Sequence, residues 1–244
     1  MDGQILFAKY AFAPNKLHFC GPNSSRTIFE YTISNQQNPE LTGLLTQFEG
    51  AFPYLKLIAQ SNHISNPFDS RVVEAYWLGN SLLETVSLKK FYSHIYERFY
   101  KKVNLKKWLW FQKKFGLKPL SNHSFHVFEI YRLVDNIEHK TKTKLIEHIN
   151  LCRISWGKVM AIENDQLKIQ YQPIEYIGGK LRFANPENKL INYQIKNQSF
   201  APNVKINDWV SFHWDWVCDI LNQRQLANLK KYTFENLKFA NLTI

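Results

Sequence analysis

The sequence predicts an α+β fold, in which an N-terminal helical bundle is followed by a small OB-like β-barrel with a C-terminal helix. Two observations predict it. Over the first 149 residues, apolar side chains recur at the spacing of three and four residues that is typical of amphipathic helices. After Leu151, short apolar runs alternate with Asn-Asp, Gly-Gly and Asn-Pro turn signals, which indicates strands. We therefore expect a helical domain over residues 1–149 and a barrel domain over residues 150–244.

Capping residues and apolar spacing place the helices of the first part. Asn23 to Ser25 can cap a helix that runs to Ser34, and Pro39 stands at the first turn of another, where its missing N–H costs nothing. Apolar residues at helical spacing predict a third helix over residues 71–85. Further amphipathic runs cover residues 87–103, 105–115, 125–134 and 142–150. We expect six or seven helical segments.

The second part contains five short apolar runs that we interpret as the strands of the barrel. They cover residues 156–163, 167–172, 180–183, 190–195 and 208–213. A terminal helix is predicted over residues 223–232, with Asn222 as its cap. No flexible linker separates the two parts near residues 148–152, so we expect them to pack tightly.

Composition narrows the class of protein. A hydrophobic content of 45% over 244 residues is typical of a globular chain that buries its own core. The three cysteines, at positions 20, 152 and 218, are too far apart for a disulfide framework or a Cys-X-X-Cys metal knuckle, which favours a reducing cytoplasm. No apolar run approaches twenty residues, so membrane insertion is not expected. Phosphate-binding glycine loops are missing as well, which argues against nucleotide-dependent catalysis.

Positive charge is concentrated in one segment. The chain has a net charge of +11, and residues 89–118 contain ten Lys or Arg against a single acid, Glu97. Aromatic residues alternate with these charges, a mixture that can bind nucleic acid through phosphate contacts and stacking. The same pattern is typical of amphipathic helices whose aromatic side chains face the core and whose lysines face water. A nucleic-acid-binding protein that uses this surface together with the barrel is therefore an alternative function.

Three short segments of the second part share the order of a known family. They are Cys152-Arg-Ile-Ser-Trp-Gly-Lys-Val159, Asp208-Trp-Val-Ser-Phe-His-Trp-Asp-Trp-Val217 and the helix start Leu221-Asn-Gln-Arg-Gln225. In this order, over roughly residues 150–232, they resemble the HypC/HupF family of nickel-iron hydrogenase maturation chaperones. In that family a Cys opens the first strand of a small barrel.

The resemblance implies a function and a site. Members of that family carry an iron fragment on a Cys and a His, which would fall on Cys152 and His213. Thiolate is a soft ligand that suits iron bearing cyanide and carbonyl groups, and a neutral imidazole can complete such a site. We expect an accessory protein for metalloenzyme maturation, with a hydrogenase large-subunit precursor or another maturation protein as partner. Asp215, two residues after the His, is a further candidate ligand.

Other candidate ligands lie in the first part. His123, His126 and Glu129 are spaced by three residues and would share a broad helical face, so an iron-dependent enzyme with its site in the helical domain is a second alternative. Cys20 precedes Gly-Pro in a predicted loop; it is either a second iron ligand that meets Cys152 or a packed turn residue. Residues 8–22 and 71–79 also resemble a set of bacterial proteins without an established activity.

Overall fold

The computed structural model describes residues 2–134 and 142–242. The predicted α+β class is confirmed, with a helical N-terminal region, a β region and a C-terminal helix. The α-helices within the described residues are α1 (Gly3–Lys16), α2 (Ser25–Ser34), α3 (Pro39–Leu45), α4 (Phe52–Ser61), α5 (Ser70–Trp77), α6 (Leu88–Phe99), α7 (Leu105–Phe115), α8 (His123–Phe125), α9 (Tyr131–Val134), α10 (Lys142–Cys152) and α11 (Gln223–Asn241). Short 3-10 turns cover Ser81–Leu83 and Tyr100–Lys102, and a π-helical stretch, His126–Ile130, joins α8 to α9.

Helix α1 is the central element, and the sequence analysis missed it. The side chain of Asp2 caps it by accepting from the backbone N–H groups of Gln4 and Ile5. All but two of its 14 residues are buried. A helix that is buried all round has no apolar stripe, so the periodicity that reveals surface helices is missing from its sequence.

The strands are β1 (Ser155–Glu163), β2 (Gln166–Tyr171), β3 (Ile174–Ile177), β4 (Lys180–Phe183), β5 (Glu187–Asn192), β6 (Gln194–Ile195), β7 (Gln198–Ser199), β8 (Trp209–His213) and β9 (Trp216–Ile220). Strands β1, β2, β5, β9 and β8 pair in that order, and β8 pairs back onto β1, so the sheet closes on itself. Closure depends on a single parallel bridge between Asn192 and Trp216. Strands β3 and β4 form a separate antiparallel pair, as do β6 and β7.

Several predicted boundaries are wrong. The helix predicted over residues 71–85 ends at Trp77, because the chain turns at Gly79 with a φ of +88°. The strand predicted over residues 190–195 is divided between β5 and β6, and β9 was not predicted as a strand. Cys152 does not open a strand. It is the last residue of α10, which continues to that point because the N–H of Arg153 still bonds the carbonyl of Ile149.

The helical and β regions share one core. Trp156 of β1, Cys218 of β9 and Tyr232 of α11 belong to the same buried apolar cluster as the side chains of α1, α4 and α5. Polar contacts cross the same interface: the Tyr10 hydroxyl lies 2.9 Å from Ser211 Oγ, and Lys9 pairs with Asp219 at 3.1 Å. The expected tight packing is therefore present, while the division at residue 149 remains a prediction. None of the helices in the described part of the chain combines the length and the apolar character needed to cross a membrane.

Candidate metal centre

A cavity of about 300 Å³ lies where α1, α5, α8, α10 and β8 meet. Its walls are mostly aromatic; the Phe19 ring stacks on that of Trp214 with the ring centres 4.1 Å apart, and both rings line the cavity. Six residues that are able to ligate a metal face this space: Cys20, His123, His126, His148, Cys152 and His213. They come from segments far apart in the sequence, so only the folded chain assembles them.

Three of these residues form a compact cluster. One ligand atom of each of His123, Cys152 and His213 lies within 4.8 Å of the others. The three stand on separate elements, since His123 begins α8, Cys152 ends α10 and His213 ends β8. The structure thus places the two residues singled out by the HypC/HupF resemblance beside each other, and it adds His123, which the sequence analysis assigned to a different site.

His213 presents a bare nitrogen to the cavity. Its Nδ1 lies 2.7 Å from the backbone carbonyl oxygen of Tyr10, and because a carbonyl can only accept, Nδ1 carries the proton and donates. The other nitrogen, Nε2, therefore has a free lone pair. It is buried and makes no hydrogen bond within the described residues. A histidine whose outer N–H is held by a carbonyl while the inner nitrogen is free has the arrangement of a metal ligand.

Pro14 explains why the carbonyl of Tyr10 is available. In an α-helix that carbonyl accepts from the N–H four residues later, but Pro14 lies inside α1 and has no N–H. The oxygen of Tyr10 is thereby released for His213. A proline that weakens α1 locally also orients the imidazole across the interface with β8.

Replacing Pro14 with alanine should therefore disturb the His213 site. The new N–H would compete for the Tyr10 carbonyl, and loss of an outer hydrogen bond of this kind typically lowers metal affinity by about tenfold or more. Titration with cobalt(II), followed by absorption, measures the effect. Pro39→Ala is the matched control, because Pro39 stands at the first turn of α3 and releases no carbonyl. Equal affinities of the two variants would contradict the role assigned to Pro14.

His123 holds the backbone of Cys152. Its Nε2 lies 2.8 Å from the carbonyl oxygen of Cys152, so Nε2 is the donor, and its Nδ1 lies 3.2 Å from the Tyr76 hydroxyl. The Trp77 ring packs against both imidazoles, with its centre 4.8 Å from that of His123 and 5.9 Å from that of His213, and the two imidazole centres are 5.2 Å apart. His123 thus positions the thiol-bearing residue, and it can become a third ligand by exchanging its bond to that carbonyl for a bond to a metal.

Burial keeps all three groups uncharged when no metal is bound. It raises the pKa of the Cys152 thiol to about 12, with a smaller contribution from Cys20. It lowers the pKa of His213 to about 3 and that of His123 to about 4. His213 can therefore coordinate through Nε2 without losing a proton, and His123 can do so once its proton has moved from Nε2 to Nδ1. A metal must displace the thiol proton of Cys152.

One known family profile matches the chain over its whole length. A family profile described as "Family of unknown function (DUF6390)" matches residues 1–244. The chain belongs to this family. No curated protein and no solved structure gives a match. The family description names no activity.

The other predicted ligands of the first part separate into two groups. Cys20 and His126 line the same cavity as the cluster. Glu129 does not line it: its carboxylate lies 2.7 Å from the ammonium of Lys114, and both side chains are buried. The π-helical stretch from His126 to Ile130 explains the difference, because its wider turn breaks the regular spacing that would have aligned Glu129 with the two histidines.

Asp215 and Cys218 also lie outside the cluster. Asp215 occupies the turn between β8 and β9 with a φ of +56°, and its carboxylate pairs with Lys189 at 2.6 Å. Cys218 is fully buried in the core, and its thiol lies 3.6 Å from the carbonyl oxygen of Trp216. Neither side chain lines the cavity.

The basic segment is arranged mainly as two amphipathic helices. In α6 and α7 the aromatic side chains of Phe91, Phe99, Trp108, Phe111 and Phe115 are buried. Most lysines face solvent, with Lys114 as an exception. Tyr96 and Trp110 stay exposed, at 42% and 47%. The core-facing interpretation accounts for most of the aromatic residues, and nucleic-acid binding by this surface remains an untested prediction.

Proposed function

We propose that this protein binds a transition-metal centre between Cys152 and His213 and carries it, as an iron-centred fragment, during the assembly of a metalloenzyme. One observation supports this most strongly: the buried Nε2 of His213 has no hydrogen-bond partner in the described chain and lies beside the Cys152 thiol. A buried nitrogen left without a partner destabilises the fold by about 1–3 kcal/mol, so a bound ligand is the simplest physical reason for it.

The available ligand atoms determine which class of metal can bind. The cluster supplies one sulfur and up to two imidazole nitrogens. No Asp or Glu is among the described residues that line the cavity, so Mg²⁺ and Ca²⁺, which prefer oxygen ligands, are poor candidates. Sulfur and imidazole favour iron, zinc or copper. Within that group, the resemblance of residues 152–225 to the HypC/HupF segments favours iron.

The size of the cavity supports a metal that brings its own ligands. At about 300 Å³ it is roughly ten times the volume of one water molecule, about 30 Å³. An iron centre with several diatomic ligands such as cyanide or carbonyl fits such a space. Two or three protein ligands also leave coordination positions open, which suits a cargo that has to be passed on.

The proposal includes a partner and a compartment. The recipient would be a hydrogenase large-subunit precursor or another maturation protein, and the protein would act in the cytoplasm. Three unpaired cysteines, two of them on the cavity wall, are consistent with a reducing compartment.

Anaerobic purification followed by metal analysis and infrared spectroscopy tests the proposal. The wild-type protein should contain iron and show the bands of bound cyanide or carbonyl. Cys152→Ala and His213→Asn should each lower the iron content by about tenfold or more, because each removes a direct ligand. Cys218→Ala and His63→Asn serve as matched controls, since Cys218 lies outside the cavity and His63 is exposed.

Two results would contradict the proposal. One is a wild-type protein that binds neither iron nor another thiophilic metal under reducing conditions. The other is metal binding that persists unchanged in both ligand variants, which would place the centre elsewhere. Retention of metal by the two control variants confirms that loss in the ligand variants is not a general effect of removing a thiol or an imidazole.

A further inference from the structure

A second thiol and imidazole face the same cavity apart from the cluster of His123, Cys152 and His213. Cys20 lies in the loop after α1, and His126 is the first residue of the π-helical stretch. Gly50 lies beside both: a Cβ atom built on it would lie 3.8 Å from Cys20 Sγ and 3.8 Å from His126 Nε2. Cys20 Sγ and His126 Nε2 are therefore no more than twice 3.8 Å apart.

The surroundings of Cys20 favour a thiolate once a cation is present. Burial raises the pKa of the thiol to about 11, so the metal-free group is protonated. The backbone amides of Gly50 and Gly21 act in the opposite direction, because their N–H dipoles near the sulfur favour the charged form. Such N–H groups directed at a sulfur are also how proteins stabilise metal-bound thiolates.

His126 is oriented from behind and is uncharged. Its Nδ1 lies 3.3 Å from the Tyr54 hydroxyl, while Nε2 is the nitrogen near Cys20 and Gly50. Burial lowers the pKa of His126 to about 3, with smaller contributions from the charges of His123 and Arg98. Coordination through Nε2 uses the tautomer in which Nδ1–H donates to the Tyr54 oxygen, so no proton has to leave the imidazole.

We infer that Cys20 and His126 form a second position for a thiophilic metal ion on the wall of the same cavity. On binding, the sulfur forms a bond to the metal and its proton passes to water, and Nε2 donates its lone pair. The inference deepens the proposed function and depends on it, since it gives the cavity two metal positions, each with one thiol and at least one imidazole.

Tyr76 connects the two positions. Its hydroxyl lies 3.1 Å from the carbonyl oxygen of Gly50, which stands beside Cys20 and His126, and 3.2 Å from Nδ1 of His123 in the cluster. The thiols of Cys20 and Cys152 also influence each other, because each would repel the other as an anion in this apolar space. A positive ion at either position relieves that repulsion and favours ionisation of the second thiol.

Cobalt(II) titration of the reduced, chelator-treated full-length protein tests the inference. The signals are bound cobalt per chain and the thiolate-to-cobalt absorption. The wild type should bind about two equivalents, and Cys20→Ala, His126→Asn and the pair Cys152→Ala with His213→Asn should each bind about one. Urea unfolding of the same samples shows whether a variant is folded.

Gly50→Ala gives a sharper version of the test. The added methyl group meets both ligand atoms at ordinary contact distance, so the metal-free fold should be retained, but the methyl crowds an ion held between them. We expect it to bind about one equivalent. Gly43→Ala is the matched control, because a Cβ there meets nothing within 4 Å, and it should bind the wild-type amount.

The other outcomes separate the two proposals. A wild type that binds one equivalent, unaffected by the Cys20, His126 and Gly50 variants, overturns the second position and leaves the proposed function intact. One equivalent that is lost in the Cys20 and the Cys152 variants alike also overturns it, in favour of a single centre shared by both thiols. A wild type that binds no cobalt, zinc or iron overturns both proposals.

Discussion

Replacing Gly79 with alanine should lower the free energy of unfolding by about 4 kcal/mol, a large share of the stability of a typical domain. Gly79 has a φ of +88°, and left-handed backbone costs other residues about 1–2 kcal/mol. A Cβ there would also lie 2.2 Å from a ring carbon of Tyr232, which is buried and bonded through its hydroxyl to Glu84. Forcing this contact adds about 1–3 kcal/mol of overpacking.

Gly178→Ala separates the two contributions. Gly178 also has a left-handed backbone, with a φ of +60°, but a Cβ there meets nothing within 4 Å. The Gly178→Ala substitution should therefore lower the free energy of unfolding by only about 1–2 kcal/mol. Urea unfolding of both variants measures the difference. Equal losses would show that α11 is not packed closely against the turn after α5.

The Gly79 substitution also bears on the site. Trp77, two residues earlier, packs against His123 and His213, and its ring stacks on that of Tyr10 with the centres 5.5 Å apart. Displacing the end of α5 would therefore move one wall of the cavity. Weaker cobalt binding by the folded fraction of Gly79→Ala is expected, whereas Gly178→Ala should bind normally.

Local sequence signals predicted the elements that have a polar side and a clear start. Helix α3 begins at Pro39 as expected, and Asn222 caps α11 with a reciprocal contact to Gln225. The signals failed for α1, which has no polar face, and for β9, which follows β8 after only a two-residue turn. The extension of α11 to Asn241 depends on packing partners that local sequence does not reveal.

The sequence predicted two of the three residues of the candidate site. Cys152 and His213 could be paired through the order of the segments that contain them, and they do lie together. His123 could not be assigned to them, because its contacts with Cys152 and His213 exist only in the folded chain. Pro14, four residues after Tyr10, is a local signal for this site. It leaves the Tyr10 carbonyl without its helical donor, so that oxygen can accept from a group elsewhere in the fold, here His213.

The cluster is built on rigid elements, which matters for its chemistry. The three candidate ligands stand at the start of α8, the end of α10 and the end of β8. Their orientation is fixed by hydrogen bonds from His213 to α1 and from His123 to α10. Such positioning keeps the ligand atoms within the narrow tolerance that a metal centre requires. The same burial should make the metal-free protein less stable as the pH falls.

The metal-free protein should lose about 3 kcal/mol of stability between pH 7.5 and pH 5.5 through His123 and His213. The folded-state pKa values, about 4 and about 3, lie below that of an unfolded histidine, about 6.5. In this window the unfolded chain binds protons that the folded chain does not bind, so the free energy of unfolding falls as the pH falls. Each ring contributes about 1.4 kcal/mol over the two pH units. His94 and His126, whose pKa values burial also lowers to about 3, add losses of the same sign and of similar size.

Urea unfolding at several pH values, in the presence of a chelator, measures this loss. His213→Asn should reduce it by about 1.4 kcal/mol over the window, and His63→Asn, which changes an exposed ring, should not. Buried Glu129 and Asp219 act with the opposite sign, because burial raises the pKa of each carboxyl, but they are common to all three proteins and cancel in the comparison. A His213→Asn protein that loses as much stability as the wild type between pH 7.5 and pH 5.5 would mean that His213 has the same pKa in the folded and unfolded chains, which would contradict a ring kept neutral by burial.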